Sequence, residues 1–336
     1  MHYHLDYSLK QLNTFGIDAR AARFVAVQSV AELQQVLAGN PAPPVHLLGG
    51  GSNILLTGNL PGLVIKNEIG GIELLGEEDG EPLVAAGGGV NWHNLVNWAL
   101  DNNLGGIENL SLIPGSAGAA PIQNIGAYGR ELKDVFHHLE ALELATGQLH
   151  TFHSEDCRFG YRDSVFKNEL KGKYCITKIC LRLSHNHRPD TSYGDIRRIL
   201  SELGIEHPTI RDLSEAVVRI RRSKLPDPAS IGNAGSFFKN PVVDTAHFEM
   251  LHARFPLIPH YPQPDGHVKV PAGWLIEQAG WKGYRSGDAG CHARQALVLV
   301  NHGSATGAEI LALSTLIRES VADRFGIELV PEVNVW

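Results

Sequence analysis

Strand and helix signals alternate along the first part of the chain, and this alternation most constrains the fold. Apolar "RFVAV" (23–27) predicts a strand, and "SVAELQQVLAG" (29–39) predicts a helix that begins with a Ser29 capping box. "VHLLGGGSNILL" (45–56) then predicts another strand. A strand, a helix and a strand in succession indicate a βαβ unit, so the chain begins as an α/β fold.

Similar signals continue to the end of the chain. Strands are predicted at 62–67, 82–89, 135–147 and 174–183, and helices at 91–103, 212–223, 245–254, 272–279 and 306–325. The helix at 212–223 is predicted to begin with a capping box of Asp212 and Glu215. We predict a mixed α/β and α+β protein in four parts: lobes at 1–66 and 67–222, a smaller α+β domain at 223–325, and a C-terminal strand at 326–336 that carries Glu332.

Composition excludes several classes of protein. The net charge is −7, and no basic run exceeds "RIRRSK" (219–224), so nucleic acid is not an expected partner. The start lacks a signal peptide, and no apolar run reaches the ~18 residues of a membrane span, which predicts a cytoplasmic protein. The four cysteines form no C-x-x-C pair, and no H-E-x-x-H occurs, so we predict no metal and assign His137 and His138 to the surface or to packing.

Two loops are rich in glycine and other small residues. "LGGGSN" (48–53) follows an apolar strand, where exposed backbone N–H groups can cradle phosphate oxygens. "LIPGSAGAAPIQNIGAYG" (112–129) carries almost no charge, unlike an ordinary surface loop. Neither a complete G-x-G-x-x-G nor a P-loop motif is present, which disfavours the Rossmann and P-loop folds. Together the loops favour a large, buried cofactor that contains pyrophosphate.

Ser236 lies in "GNAGSFFKNP" (232–241), in a segment that otherwise resembles a linker. One interpretation is a turn, in which glycine supplies positive φ and the hydroxyl bonds to its own backbone. The other interpretation is a chemical role. Phe237 and Phe238 follow the serine directly, so the Gly-x-Ser-x-Gly of a nucleophile elbow is missing. A chemical role would therefore be proton donation rather than acyl transfer.

Seven motifs occur in order along almost the whole chain. They are "NTFGI" (13–17), "LGGGSN" (48–53), "IPGSAGAAPIQNIGAYG" (113–129), "CRFGYRDSVFK" (157–167), "GNAGSFFKNP" (232–241), "PAGWLIEQAG" (271–280) and "PEV" (331–333). The set resembles the bacterial UDP-N-acetylenolpyruvoylglucosamine reductases, the MurB family. The resemblance implies a two-lobed FAD-binding module of the vanillyl-alcohol-oxidase (PCMH) type and a smaller substrate-binding domain.

The resemblance also implies an activity. In this family NADPH reduces noncovalent FAD, and UDP-N-acetylglucosamine enolpyruvate becomes UDP-N-acetylmuramate in peptidoglycan precursor synthesis. Ser236 matches the proton donor, Arg162 the family's arginine and Glu332 its active-site glutamate. Reduction of an enol ether beside a carboxylate builds negative charge, which needs cations or donors aimed at it. Without the resemblance, Arg162 would be assigned to a surface pair with Asp163, and Glu332 to a solvated strand end.

Further residues are assigned to cofactor and substrate. Tyr193 in "DTSYGDI" resembles a tyrosine that closes over the substrate's diphosphate, although an ordinary Tyr-Gly turn is the alternative. Lys224, Asn240 and Gln295 match positions associated with the nucleotide or the phosphates. The predicted FAD contacts are Gly49, Gly50, Gly51, Ser52, Asn53, Pro114, Gly115, Ala117, Gly118, Gln123, Asn124, Ile125, Gly126, Tyr128 and Gly129.

Two rival functions share this fold. A flavin oxidase would bind its flavin covalently through a His or Cys, but neither residue type occurs within 112–129. A noncatalytic nucleotide-sugar sensor would be favoured by the loss of Ser236 or Glu332, and both residues are present. We therefore expect a cytoplasmic, monomeric reductase that neither inserts into a membrane nor binds nucleic acid.

Overall fold

The structure is a computed structural model that describes residues 2–336, and it divides into two compact units. Unit 1 contains the residues up to Tyr7, Ala21–Gly51 and Leu60–Ser223, and unit 2 contains Ser8–Arg20, Ser52–Asn59 and Lys224–Trp336. The segments 8–20 and 52–59, which the sequence analysis assigns to the first lobe, thus belong to unit 2. The predicted division of 1–222 into two lobes remains a prediction.

Twenty strands are defined in the described part of the chain. In chain order they are β1 (His4–Ser8), β2 (Arg20–Val27), β3 (Val45–Leu48), β4 (Ile54–Leu55), β5 (Leu60–Asn67), β6 (Ile72–Glu78), β7 (Glu81–Gly87), β8 (Gly126–Ala127), β9 (Arg130–Glu131), β10 (Phe136–Glu143), β11 (Leu149–His153), β12 (Tyr174–Arg182), β13 (Gly232–Ser236), β14 (Val242–Val243), β15 (Tyr261–Pro262), β16 (Val268–Lys269), β17 (Arg285–Ser286), β18 (Ala289–Cys291), β19 (Val298–Asn301) and β20 (Asn334–Val335).

The helices over the same residues are of two kinds. The α-helices are α1 (Val30–Ala38), α2 (Trp92–Asp101), α3 (Ser154–Cys157), α4 (Gly194–Glu202), α5 (Ile210–Lys224), α6 (Thr245–Arg254), α7 (Ala272–Gln278) and α8 (Gly307–Phe325). Short 3₁₀ helices occur at Lys10–Leu12, Glu108–Leu110, Ala117–Gln123, Leu132–Asp134 and Val165–Lys167.

The predicted βαβ beginning is confirmed in a four-stranded sheet of order β1-β2-β5-β3. β2 and β3 both run parallel to β5, which lies between them. Ser29 accepts a hydrogen bond from the Glu32 amide at the start of α1, which then buries Leu33 and Val36. The helix ends at Gly39, as its sequence predicts.

A second sheet of unit 1 is antiparallel, in the order β11-β10-β12-β7-β6. Its apolar residues form a buried cluster together with α2. Trp92 at the start of α2 is buried there, and its indole N–H donates to the Leu110 carbonyl at 3.0 Å. That bond satisfies a polar atom whose burial would otherwise cost about 1–3 kcal/mol.

Helix α5 begins at Ile210, two residues earlier than predicted. The predicted cap of Asp212 and Glu215 is wrong. Thr209 and Asp212 form the capping pair instead: the Thr209 amide donates to the Asp212 carboxylate at 2.8 Å, and the Asp212 amide donates to the Thr209 hydroxyl at 3.2 Å. Both pairs have the same spacing, so local sequence did not distinguish them.

Unit 2 is built on an antiparallel sheet of order β13-β19-β18-β17. The long helix α8 packs on β18 and β19. Thr306 and Glu309 form the predicted capping box, and Gly326 closes the helix in the left-handed conformation, with φ of 67°. The prediction of a helix here is confirmed.

The C-terminal segment also belongs to unit 2. Strand β20 pairs in parallel with β4 and is only two residues long. Glu332 precedes this strand, whereas the sequence analysis placed it within the strand. Pro331 has no N–H to donate to a strand ladder, which explains why regular pairing does not extend through this segment.

Candidate active site

Ser236 ends strand β13 immediately after a β-bulge. Asn233 pairs with Val300 and Ser236 with Val298, so β13 has one residue more than its partner over this interval. Gly235 has φ of +70°, a left-handed conformation that favours glycine, and its amide donates to Asn233 Oδ1 at 2.9 Å. A bulge changes the direction of the side chains that follow it.

The hydroxyl of Ser236 makes no hydrogen bond to any residue within 2–336, and the side chain is half-buried. A serine that shaped a turn would bond its hydroxyl to nearby backbone. Here the bulge is shaped by Asn233 and Gly235 instead. Phe237 and Phe238 follow and are fully buried. Ser236 is therefore held by its neighbours, and its own hydroxyl is uncommitted within the protein.

Glu332 lies on a segment that pairs with the chain directly after Ser236. The Glu332 amide donates to the Phe237 carbonyl at 2.8 Å, and the Lys239 amide donates to the Val330 carbonyl at 2.9 Å. An isolated antiparallel bridge joins Phe238 and Pro331 between these two bonds. The pairing brings the backbone of Glu332 to the residue directly after Ser236, although the two segments are far apart in sequence.

Asn53, at the end of the first glycine loop, is bonded to the same C-terminal segment. Its side-chain amide donates to the Glu332 carbonyl at 3.3 Å, and its own carbonyl accepts from the Asn334 amide at 3.1 Å. Asn53 and the residue after Ser236 are thus both bonded to the C-terminal segment that carries Glu332, within unit 2. Ser52 precedes Asn53 in the same unit.

Two of the other unit 2 candidates, Asn240 and Gln295, lie near helix α7. Asn240 Oδ1 accepts from the Ala272 amide at 2.9 Å, so this side chain satisfies a backbone N–H at the start of the helix. Gln295 is half-buried, and its Oε1 lies 3.2 Å from where a β-carbon on Gly273 would be. Lys224 is the exposed last residue of α5. Their predicted contacts with substrate remain predictions.

In unit 1 the two glycine loops lie directly against each other. A β-carbon on Gly49 would approach Ser116 Oγ to 2.7 Å, and one on Gly50 would approach the Gly115 α-carbon to the same distance. Glycine is therefore required at positions 49 and 50, where the first loop contacts the second. The Lys66 ammonium donates to the Gly49 carbonyl, and burial lowers the pKa of Lys66 from its usual value.

Two backbone N–H groups of the second loop donate hydrogen bonds within the protein. The Ala117 amide donates to the Val90 carbonyl at 2.7 Å, and the Gly118 amide donates to the Gly88 carbonyl at 2.9 Å. These two N–H groups hold the loop to the segment that follows β7. Gly50 and Pro114 remain exposed and Gly115 half-exposed, so the surface free for a ligand is backbone without bulky side chains. Such an edge fits the pyrophosphate of FAD.

Asn124 is fully buried and left-handed, with φ of 42°. Its side-chain amide donates to Glu131 Oε2 and to the Gly160 carbonyl, both at 3.0 Å, and its Oδ1 accepts from the Lys133 amide. The side chain therefore joins the loop to its neighbours. Asn124 could therefore contact a cofactor only through its backbone.

Arg162 also has a left-handed backbone, with φ of 54°. Its guanidinium donates to the Gly126 carbonyl on the second loop and lies 5.7 Å from the centre of the Tyr161 ring. The carboxylate of Asp163 accepts from the Ser164 amide and the Asn168 side chain. Non-glycine residues in this conformation are strained and concentrate at functional sites. The geometry supports a role for Arg162 beyond a surface ion pair.

Arg221 was not predicted from the sequence as a site residue. This residue of α5 lies on the buried side of the helix with Val217 and Ile220, and its Nε donates to the Leu112 carbonyl at 3.2 Å. Burial lowers the pKa of Arg221, and its bond to the Tyr128 hydroxyl opposes that shift. The guanidinium still stays charged at neutral pH. Arg221 follows the buried Val217 by four residues, so the two lie on the same face of α5. This spacing was the sequence signal that could have predicted its burial.

Tyr193 packs beside these residues. Its ring meets the Tyr128 ring edge to face, with centroids 5.2 Å apart, and it is 42% exposed. Burial is the largest cause of the raised pKa of Tyr128. The charge of Arg221 opposes this shift, and Tyr193 adds to it. Tyr193 immediately precedes α4, and the turn before it is held by the Ser192 amide, which donates to Asp190 at 2.9 Å. Unit 1 therefore combines two arginines and two tyrosines near the second loop.

Two families of known protein domains match separate parts of the chain. The FAD-binding domain family matches residues 21–153, and the C-terminal domain of UDP-N-acetylenolpyruvoylglucosamine reductase matches residues 227–336. Proteins named UDP-N-acetylenolpyruvoylglucosamine reductase are similar over nearly the full length. The one from Flavobacterium johnsoniae is 50% identical over 100% of both chains, and that from Chromobacterium violaceum is 51% identical over 99% of this chain and 98% of the relative.

A solved structure agrees. The crystal structure of the UDP-N-acetylenolpyruvylglucosamine reductase (MurB) from Thermus caldophilus superposes with a TM-score of 0.69 at 26% identity, covering 100% of this chain and 98% of that one. Fold and matching domains define an FAD-dependent oxidoreductase with a second, C-terminal domain. Within that class, the chain belongs to the UDP-N-acetylenolpyruvoylglucosamine reductase (MurB) family. No helix within residues 2–336 has both the length and the apolar character needed to cross a membrane.

Proposed function

We propose that this enzyme reduces UDP-N-acetylglucosamine enolpyruvate to UDP-N-acetylmuramate in peptidoglycan precursor synthesis, with NADPH as reductant and noncovalent FAD as cofactor. The observation that carries the proposal is the backbone pairing of Glu332 with Phe237, the residue directly after Ser236, whose hydroxyl is uncommitted. We further propose that the enzyme acts in the cytoplasm as a monomer.

Bound FAD would supply the hydride chemistry, from its N5 to C3 of the enolpyruvyl group. Ser236 would donate the proton to C2, so that one hydride and one proton complete the reduction. A serine hydroxyl is a weak acid, and it can donate only when it is fixed close to a basic site. The bulge at Gly235 and the buried ring of Phe237 fix the backbone on both sides of Ser236.

The remaining roles follow from charge. Negative charge that develops beside the substrate carboxylate needs a cation already in place. Arg162 carries a permanent charge and is oriented by its bond to Gly126, so it suits that role. Tyr193 would close over the diphosphate, and Lys224, Asn240 and Gln295 would contact the nucleotide or the phosphates.

The test uses purified protein under anaerobic conditions. NADPH should bleach the yellow colour, and UDP-N-acetylglucosamine enolpyruvate should restore it with formation of UDP-N-acetylmuramate. UDP-N-acetylglucosamine, which lacks the enolpyruvyl group, is the matched control and should restore nothing. Acid precipitation should release FAD into the supernatant. A pellet that stays yellow would show a covalent flavin, and failure of the enolpyruvyl substrate to restore the colour would contradict the proposed activity.

A further inference from the structure

Three neighbouring strands of unit 1 bring together histidines and a cysteine that are not among the residues assigned to the reaction. In the register of the antiparallel sheet, His138 of β10 lies opposite Cys180 of β12 on one side and His153 of β11 on the other. Side chains directly opposite each other on adjacent strands share one face of the sheet and lie close together. Cys180 is fully buried, and His138 is half-buried.

A β-bulge adds His137 to the same group. The register of β10 against β12 passes from Phe136 opposite Leu181 to His138 opposite Cys180, which leaves His137 as the extra residue. In a regular strand, His137 and His138 would point to opposite faces. Here their Nδ1 atoms are 2.6 Å apart. The ligand atoms of His137, His138 and Cys180 all lie within 4.8 Å of one another.

A carboxylate orients one of the histidines. Glu78 Oε2 lies 2.8 Å from His137 Nε2, and Arg182 binds the same carboxylate oxygen. When His137 donates its Nε2 hydrogen to Glu78, its Nδ1 lone pair is left on the side of His138. Metal-binding histidines almost always donate their second ring N–H to a carboxylate or carbonyl in this way. The contact with Glu78 is thus a second feature of a metal site, independent of the clustering.

We propose that His137, His138 and Cys180 bind a divalent metal ion of the zinc class, with solvent in the fourth position of a tetrahedral site. Two imidazoles and a thiolate suit zinc and cobalt, whereas magnesium and calcium prefer oxygen ligands. The metal joins β10 to β12 and stabilises the sheet. This site is independent of the proposed reductase activity.

Binding must release a proton from the cysteine. Burial raises the pKa of Cys180 to about 11, so the thiol is protonated at neutral pH. The metal forms a bond to Sγ as the S–H bond breaks, and the proton leaves to solvent. The metal keeps its oxidation state, so the step needs no oxidant or reductant.

The experiment uses the FAD-loaded protein without a histidine tag and titrates it with Co²⁺. Difference spectra should show d–d bands in the red, clear of oxidised flavin, and a thiolate-to-cobalt band. Zn²⁺ should remove these bands, and competition with a chromophoric chelator then measures its affinity. Zn²⁺ should also raise the thermal unfolding midpoint, while Mg²⁺ should not. A cobalt spectrum without sulfur ligation would overturn the proposal.

Variants locate the site. Cys180→Ser should abolish the thiolate band, whereas Cys291→Ser, which alters an equally buried thiol of unit 2, should keep it. His137→Gln should weaken Zn²⁺ binding, and His150→Gln, on the same sheet, should not. Equal affinities in these two histidine variants would overturn the assignment.

One variant avoids the buried core. Glu78 lies at the surface, so Glu78→Gln should fold normally even if Cys180→Ser does not. It should weaken Zn²⁺ binding by about 10–100-fold, the usual effect of losing a partner of a metal-bound histidine. Unchanged affinity in Glu78→Gln would count against the proposed geometry.

Discussion

The backbone amide of Glu332 donates a 2.8 Å hydrogen bond to the carbonyl of Phe237, which joins the C-terminal segment to the residue directly after Ser236. This relationship joins the segment that carries the acidic candidate to the segment that carries the candidate hydroxyl, within one compact unit. It also explains why the end of the chain carries a candidate catalytic residue although strand β20 is only two residues long.

Ser236→Ala should separate the two halves of the reaction. Reduction of flavin by NADPH needs no proton donor for the substrate carbon, so bleaching should remain close to normal. Reoxidation by substrate should slow by about 10²–10⁴-fold, the usual contribution of a general acid. Stopped-flow absorbance measures both phases, and Ser286→Ala is the matched control on an exposed strand. Reoxidation within about tenfold of the wild-type rate would remove Ser236 from the role of essential proton donor.

Arg162→Gly should impair the reaction without a large loss of stability. Removing a side chain from the left-handed region relieves about 1–2 kcal/mol of strain, and the flexibility of glycine offsets about 0.5–1 kcal/mol of that. Arg158 is also left-handed, with φ of 46°, and forms an exposed ion pair with Glu169, so Arg158→Gly is the matched control. Stopped-flow absorbance should show slow reoxidation by substrate in Arg162→Gly alone. Urea unfolding should show no large loss of stability in that variant. Similar kinetics in both variants would contradict a role for the Arg162 guanidinium.

Tyr193→Phe should raise the KM for the enolpyruvyl substrate. A hydrogen bond from the hydroxyl to a charged phosphate is worth about 1.5 kcal/mol or more, which corresponds to about tenfold in affinity. The rate of flavin reduction by NADPH should be unaffected. Tyr284 is equally exposed at 42%, so Tyr284→Phe controls for loss of a surface hydroxyl. Equal substrate affinity in Tyr193→Phe and wild type would refute the assignment.

Gly50→Ala should separate the two glycine loops. The new β-carbon would lie 2.7 Å from the α-carbon of Gly115, so backbone must move, at a cost of about 1–3 kcal/mol in the free energy of unfolding. The displaced loop should also retain FAD less well, which gel filtration and flavin absorbance can measure. Gly58→Ala is the control, because nothing lies within 4 Å of its added carbon. Full FAD retention and stability in Gly50→Ala would show that the loop contact is not required.

His93 should make the protein less stable as the pH falls. Burial, followed by the charges of Arg222 and Arg221, lowers the pKa of His93, and its Nδ1 accepts from the Leu112 amide at 3.1 Å. The unfolded chain therefore binds the proton more readily, with a pKa of about 6.5. Stability should be full above that value, fall as the pH drops through it, and level off below the folded pKa.

The measurement for His93 is urea unfolding across this pH range. In His93→Asn, Oδ1 can replace the acceptor nitrogen but does not titrate. The difference in unfolding free energy between wild type and His93→Asn should therefore shrink or reverse towards acid pH. A difference that stays constant with pH would show that His93 does not contribute. The contributions of the other histidines to the pH dependence cancel in this comparison, because both proteins contain them.

Short-range features were predictable because a few neighbouring residues determine them. Ser29 with Glu32 and Thr306 with Glu309 specify helix starts three residues apart, and the structure confirms both helices. The same principle failed at α5, where Thr209 with Asp212 and Asp212 with Glu215 have identical spacing. In the structure the helix starts at Ile210, and Ile210 and Leu213 are both buried.

The glycine loops and the ordered motifs were also visible in the sequence, and they led to the family. What the sequence did not reveal is how Gly49 and Gly50 are used. They permit contact with Ser116 and Gly115, as well as leaving backbone open to a ligand. Arg221 was likewise missed, because its burial depends on loop residues that are distant along the chain.

The chain by itself determined the residue types, the helix caps and the order of the motifs, since these depend on local chemistry. Tertiary structure alone decided the strand registers. The bulge before Ser236, the pairing of Glu332 with Phe237, and the bulge that directs His137 beside His138 all depend on which distant strands pair. One residue of register reverses the face of every side chain in a strand, and buried packing across the whole sheet selects that register.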